Sequence, residues 1–254
     1  MKCIVLAAGY ATRLYPLTEK YPKPLLKVKD KAIIEWLIDD ISSIADIDEI
    51  IIISNHKFIN IFNKWKEFFE SKLPVTILDD GSTENENRLG AVRDIAFAIK
   101  EAHIQDDLMV IAGDNLLDFS LSGFCRFFGE NKATCIMRHH EGSVEKLQRT
   151  GVALVDKNSL VIEMEEKPEK PKSNWAVPPF YIYKKDDLQK IIYGVENEVC
   201  NLDAPGSFIE WFCRKSEVYA YLMPGNRYDI GNKESYDSIC EEYCGIINKN
   251  LFDC

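Results

Sequence analysis

Strand-like runs and helix-periodic segments alternate along the first half of this 254-residue chain, and no other feature restricts the fold as much. Branched apolar runs at 3–7, 49–54, 75–78 and 108–112 read as strands. Between them Ile33, Ile34, Leu37, Ile38 and Ile41 recur at the three-and-four spacing of a helix. Phe58, Ile61, Phe62 and Trp65 do the same, and a third helix is predicted over 89–102 with Val92, Ile95, Ala96 and Ile99 on one face. Strand–helix–strand units need the crossovers of a parallel sheet. The chain is therefore predicted to be an α/β protein with a mainly parallel, Rossmann-like central sheet flanked by helices. Ligands of such sheets bind beyond the carboxyl ends of the strands.

The second half reads differently. "GVALVDKNSLVIEMEEKP" holds two strand-like runs around Asp156-Lys157-Asn158-Ser159, a hairpin signal. "NWAVPPFYIYKK" reads as one further strand. Helical segments are predicted near 186–195 and 207–214, a late strand at 218–223, and a terminal helix from about Glu234. With no polar linker, low-complexity tract or repeat, residues 1–254 are expected to form a single domain that carries a small β-rich lobe.

Net charge is −10, which argues against a broad nucleic-acid or membrane-surface partner, since both need a basic face. Sign reverses locally: Arg13, Lys20, Lys23, Lys27, Lys29 and Lys31 face only Glu19 and Asp30 in the same stretch. Solvated surface is the ordinary explanation of such a run; its place behind the first strand points to a phosphate instead. The eight cysteines, at 3, 125, 135, 200, 213, 240, 244 and 254, include no C-x-x-C pair, and Cys240 and Cys244 lack partners for a tetrahedral metal site. His56, His103, His139 and His140 show no ligand spacing either. The first apolar run is too short for a signal peptide and nothing approaches a membrane span, so a reduced cytoplasm is the expected location.

Directly after the first strand stands "LAAGYATRLYPL". A dinucleotide fingerprint needs G-x-G-x-x-G, and Gly9-Tyr10-Ala11-Thr12-Arg13-Leu14 lacks the second and third glycines. The acidic residue for a ribose is missing too, because the next strand ends in Ser54-Asn55-His56. G-x-x-x-x-G-K-[ST] is likewise absent. What remains is a run of small residues that lets successive backbone N–H groups face an anion, with Arg13 able to clamp phosphate oxygens.

"LAAGYATRLYPLT" followed by "YPKPLL" resembles the signature of the sugar-1-phosphate nucleotidyltransferases (NDP-sugar pyrophosphorylases). "VIAGDN", "EEKPEKPKSNWAV" and "YDIGNKESY" are similar to later motifs of that family and follow in the same order. The resemblance spans nearly the whole chain. It implies a nucleotide-binding half over about 1–115 and an acceptor-binding half with the terminal helix over 116–254. Leu6, Ala7, Ala8, Gly9, Thr12, Arg13 and Lys23 would then hold the nucleotide, together with Leu89, Gly90 and Gly113. Asp114 and Asp229 would hold Mg2+. Asn115, Gly151, Glu166, Lys167, Asn174, Val177 and Tyr181 would surround the acceptor. Catalysis would fall to Arg13, Lys23, Asp114, Lys167 and Asp229. The partners implied are an NTP and a phosphorylated small molecule, and a homo-oligomer is compatible with the resemblance.

Three departures matter. Ala11 replaces the family's usual glycine, Pro179 stands where a glycine normally allows close approach to the sugar, and the glutamine that contacts uracil or thymine has no counterpart in "DDGSTENENRLGAVRD". The base therefore stays open among UTP, dTTP and CTP. Three functions remain in view: NDP-sugar formation, CTP-dependent transfer to an amino-alcohol or polyol phosphate, and nucleotide binding without catalysis. Retention of both aspartates and both phosphate lysines speaks against the last.

Overall fold

The computed structural model describes residues 1–247. In chain order the elements are β1 (Lys2–Leu6), β2 (Lys27–Val28), β3 (Lys31–Ala32), α1 (Ile33–Ile41), β4 (Glu49–Ser54), α2 (Ile59–Phe68), β5 (Val75–Asp79), α3 (Ala91–Glu101) and β6 (Leu108–Ala112). They continue as β7 (Asn115–Leu117), α4 (Ser122–Asn131), β8 (Thr134–His140), α5 (Val144–Leu147), β9 (Gly151–Val155), β10 (Val161–Glu166), β11 (Trp175–Val177) and β12 (Phe180–Tyr183). The last are α6 (Leu188–Glu196), α7 (Pro205–Phe212), β13 (Val218–Leu222), β14 (Arg227–Asp229) and α8 (Lys233–Glu242). Two compact units interleave along the sequence. Residues 1–88, 112–123 and 224–247 form the first, and residues 89–111 with 124–223 form the second.

In the first unit β1 and β5 lie on either side of β4, all parallel, with Ile4 opposite Ile51 and Ile52 opposite Ile77. Strand β4 reads EIIIIS because both of its faces are covered, and Ile50, Ile51, Ile52 and Ile53 are wholly buried. Helices α1 and α2 are the predicted amphipathic segments. Glu35 joins them: its carboxylate accepts the Ala32 N–H at the start of α1 (2.9 Å) and the indole N–H of Trp65 on α2 (2.8 Å). A second core gathers Leu14, Val28, Ile33, Leu116, Ile230, Ile239 and Tyr243. Three of these are chain neighbours of candidate site residues: Leu14 of Arg13, Leu116 of Asn115, and Ile230 of Asp229. Burial of each such side chain contributes about 1.5–3 kcal/mol, so the polar neighbours are set on anchored backbone.

The second unit is a mixed sheet with helices. Strand β12 runs antiparallel to β6 and to β8, and β13 lies parallel to β8. The predicted hairpin is β9–β10, and β11 pairs with β9 on one side and β8 on the other. "NWAVPPFYIYKK" is not one strand but two. Pro178 and Pro179 lack the N–H a ladder needs, and the Phe180 N–H turns back to the Pro178 carbonyl at 2.8 Å. The chain thereby leaves the β9–β11 ladder and enters the β6–β12 ladder. Helix α4 and strand β8 have no counterpart in the sequence prediction.

Candidate active site

Strand β1 ends at Leu6, and the Ala7 N–H continues its ladder by donating to Ile53 (2.9 Å). The loop then leaves the sheet. Ala7 and Ala8 are buried, whereas a Cβ added to Gly9 would meet nothing within 4 Å, so packing does not account for that glycine. Ala11 adopts a left-handed conformation (φ 45°, ψ 44°) and leads into a 3-10 turn over Thr12–Leu14. An L-residue pays about 1–2 kcal/mol there, a cost that glycine does not bear. From Ala8 to Arg13 no backbone N–H donates to a protein acceptor among the described residues. Arg13 is exposed and makes no ion pair among them. The arrangement is a row of free N–H donors with a guanidinium beside it, which is what an anion requires.

Lys23 is set by its two prolines. Pro22 is extended, Pro24 lies within the first turn of a 3-10 segment over Lys23–Leu25, and the lysine stem is buried with the residue only 6% exposed. Its ammonium reaches Asp114 Oδ2 at 2.6 Å and lies 3.8 Å from Asp229 Oδ1. The two aspartates meet because β7 and β14 pair antiparallel with Asp229 opposite Asn115. Asn115 is itself committed. Its amide donates to Asp114 Oδ1 (2.9 Å), and its carbonyl oxygen accepts from Arg227 at 2.6 Å. So Asn115, predicted at the acceptor, holds Asp114 in the first unit. Arg227, which sequence reasoning did not single out, holds Asn115 and lies 4.0 Å from Asp229.

Gly113 donates its N–H to the Leu6 carbonyl at 2.9 Å, and a Cβ there would lie 2.8 Å from Val5 Cγ1. Close packing on β1 thus explains this glycine without a ligand. Leu89 and Gly90 belong to the second unit. Gly90 (φ 92°) abuts the 202–203 backbone, and the Ala91 and Val92 N–H groups donate to Asp203 and Leu202.

In the second unit the acceptor candidates divide. Glu166, Gly151 and Val177 form one rung across β10, β9 and β11. A Cβ on Gly151 would press against Met164 and lie 3.1 Å from Glu166 Oε2, so the glycine makes room for the carboxylate. Lys167 follows in a left-handed conformation (φ 51°), its ammonium 3.9 Å from Glu166 Oε1. Burial pushes the Glu166 carboxyl pKa up, Lys167 opposes the shift, and Glu210 adds to it. Tyr181 is 2% exposed and stacked on Tyr183, and burial holds its phenol far above the usual range. Asn174 is not brought to the rung. It is exposed, precedes β11, and its carbonyl accepts the Glu141 N–H at 2.9 Å. Beside Glu166 and Lys167 opens a cleft of about 410 Å³ that also includes Cys200, Ser207, Glu210 and Trp211.

No cysteine among the described residues is in a disulfide; Cys254 lies outside them. Among the described residues no three His, Cys, Asp or Glu side chains group as a metal cluster, and no helix is long and apolar enough to cross a membrane. His56, given no role, lies with Nδ1 2.7 Å from Asp79 Oδ2. Two buried residues that sequence reasoning passed over, Thr18 and Asn55, donate to loop carbonyls at Ala11 and Ala8.

Fold and site together define an α/β protein with a loop whose N–H groups find no acceptor among the described residues and a buried lysine held between two carboxylates. Comparison with known proteins identifies the family. The family described as nucleotidyl transferase matches residues 2–244, and the chain belongs to it. The bifunctional protein GlmU of Methanocaldococcus jannaschii is 27% identical over 99% of this chain, which spans 58% of that protein's length. The UTP–glucose-1-phosphate uridylyltransferase AglF of Haloferax volcanii is 27% identical over 93% of this chain and 94% of its own. A UDP-glucose pyrophosphorylase solved with UDP-glucose superposes with a TM-score of 0.77 at 20% identity, covering 94% of this chain and 96% of that one. That last likeness establishes the α/β fold.

Proposed function

We propose that the protein condenses an NTP with a sugar 1-phosphate, releasing pyrophosphate and forming an NDP-sugar. The observation that carries this reading is the run of N–H groups from Ala8 to Arg13 that find no acceptor among the described residues, together with Lys23 held by Asp114 and Asp229. An acceptor phosphate has a second pKa near ~6 and is largely a dianion at neutral pH, so it needs no general base. Its oxygen forms a bond to the α-phosphorus while the bond from that phosphorus to the bridging oxygen breaks, and the electron pair leaves with pyrophosphate. Such chemistry asks for positioning and charge neutralisation, and the candidate residues offer Arg13, Lys23 and Lys167 instead of a nucleophile and base.

Asp114 and Asp229 are the residues that would hold Mg2+, and the donor set fits, since magnesium takes one or two carboxylates and completes its shell from phosphates and water. When bound it supplies further neutralisation of the triphosphate. Lys167 would hold the acceptor's phosphate and Glu166 its hydroxyls. Described cysteines held outside any disulfide suit a reducing, cytoplasmic location.

A second reading keeps the reaction and changes the partners to CTP and an amino-alcohol phosphate. It is favoured by Pro179 at the acceptor strand and by Glu210 and Trp211 in the same cleft as Glu166, since a carboxylate beside an indole suits an ammonium. Pyrophosphate release from a panel of NTPs with glucose 1-phosphate, glucosamine 1-phosphate, phosphocholine and glycerol phosphate separates the two. A sugar phosphate leading the panel supports the first reading, and phosphocholine leading it replaces the first with the second.

A further inference from the structure

The loop after β1 is held from behind at two points. Asn55 Nδ2 donates to the Ala8 carbonyl at 2.9 Å, and Thr18 Oγ1 donates to the Ala11 carbonyl at 2.8 Å. Both donors are wholly buried, at 0% exposure. Asn55 has its amide orientation fixed, because its Oδ1 accepts the Phe58 N–H (3.0 Å) at the start of α2. The Ala11 carbonyl also takes the Leu14 N–H at 2.9 Å, so it is doubly held.

A trans peptide is planar, and its C=O and N–H point in opposite directions. Holding the Ala8 carbonyl toward Asn55 therefore turns the Gly9 N–H away from the protein. Holding the Ala11 carbonyl toward Thr18 does the same for the Thr12 N–H. These are two of the N–H groups that find no protein acceptor among the described residues. The left-handed turn at Ala11 is unfavourable for alanine and needs such support. Neither side chain faces the anion; each acts through a peptide plane.

We propose that Asn55 and Thr18 are positioning residues for the nucleotide's phosphates, fixing the direction of the Gly9 and Thr12 N–H groups through the carbonyls of Ala8 and Ala11. The proposal rests on the reading of this loop as the phosphate site. Its sequence trace is slight: an asparagine directly after β4, and the threonine that closes "RLYPLT".

The test is calorimetric titration of magnesium pyrophosphate, which needs neither the base nor the acceptor to be known, into wild type, Thr18→Val, Thr18→Ser and Asn55→Asp. Thr18→Val keeps shape and removes the donor; Thr18→Ser keeps the donor. Asn55→Asp replaces the donor with an acceptor facing a carbonyl. Circular dichroism checks that each variant is folded at the titration temperature. The expected result is affinity weakened about tenfold in Thr18→Val and at least as much in Asn55→Asp, with Thr18→Ser within about twofold of wild type. Folded Thr18→Val that binds as tightly as wild type, or Thr18→Ser that loses as much as Thr18→Val, overturns the positioning role and leaves the loop's function standing. Wild type that fails to bind pyrophosphate at millimolar concentration overturns the phosphate-loop reading itself, and the proposal with it.

Discussion

Lys23 donates to Asp114 across 2.6 Å although the two are 91 positions apart in the chain. The ammonium is buried, and a buried cation needs carboxylates close by. Asp114 and Asp229 meet that need in the free protein. Triphosphate oxygens would take over the ammonium on binding, freeing the carboxylates for the metal. Asp114→Asn keeps the shape and removes the charge. Turnover should fall at least about 100-fold and lose its magnesium dependence, with the circular dichroism spectrum unchanged. A variant that keeps wild-type turnover and magnesium dependence contradicts the assignment.

Arg13 is exposed at the end of the free N–H row, on backbone anchored by the buried Leu14. Arg13→Ala should reduce turnover by on the order of 10²–10³-fold, as for loss of one transition-state donor. Stability should barely change, since Arg13 is exposed and makes no ion pair among the described residues. Steady-state kinetics with a urea titration checks both parts.

Ala11 sits at φ 45°, and Ala11→Gly relieves that strain while adding backbone entropy to the unfolded chain. The balance should favour glycine by roughly 0.5–1 kcal/mol, read as a higher urea midpoint at unchanged slope. A lower midpoint would show that the alanine methyl is needed by the core that includes Leu14 and Tyr228.

Glu166 has its carboxyl pKa raised, by burial first and by Glu210 after that, against Lys167. Its ionised form is therefore disfavoured by folding. The resulting loss of stability is complete above the folded pKa and vanishes below the ordinary value of 4.5. Glu166→Gln should then melt higher than wild type at pH 7, with the difference shrinking as the pH is lowered toward 4.5. Because the acceptor phosphate itself takes up a proton near pH ~6, acceptor KM should rise in acid for both proteins, and more steeply for wild type than for Glu166→Gln. Equal melting of the two proteins at pH 7 would contradict the account.

Much of this was legible in the sequence because periodicity reports burial directly. The isoleucine run of β4 and the stripe of α1 could hardly be read otherwise. The hairpin β9–β10 was visible in its turn residues. Other parts depend on pairings that no local pattern encodes. Strands β7 and β14 are three residues each, too short to show alternation, yet their register places Asp229 opposite Asn115. Asn115 and Gly113 stand in a motif whose residues look like ligand contacts, and the geometry shows one amide spent on Asp114 and one glycine spent on Val5. Asn55 and Thr18 act from behind the loop, where nothing in their own segments reports the carbonyls they hold.

The most direct test of the central claim is pyrophosphate released by wild-type protein, with magnesium, across a matrix of NTPs and phosphorylated acceptors. The expected result is release that needs both substrates, with one NTP and a sugar 1-phosphate far ahead of the other pairs. No release from any pair, in a preparation that still binds magnesium pyrophosphate, would contradict it.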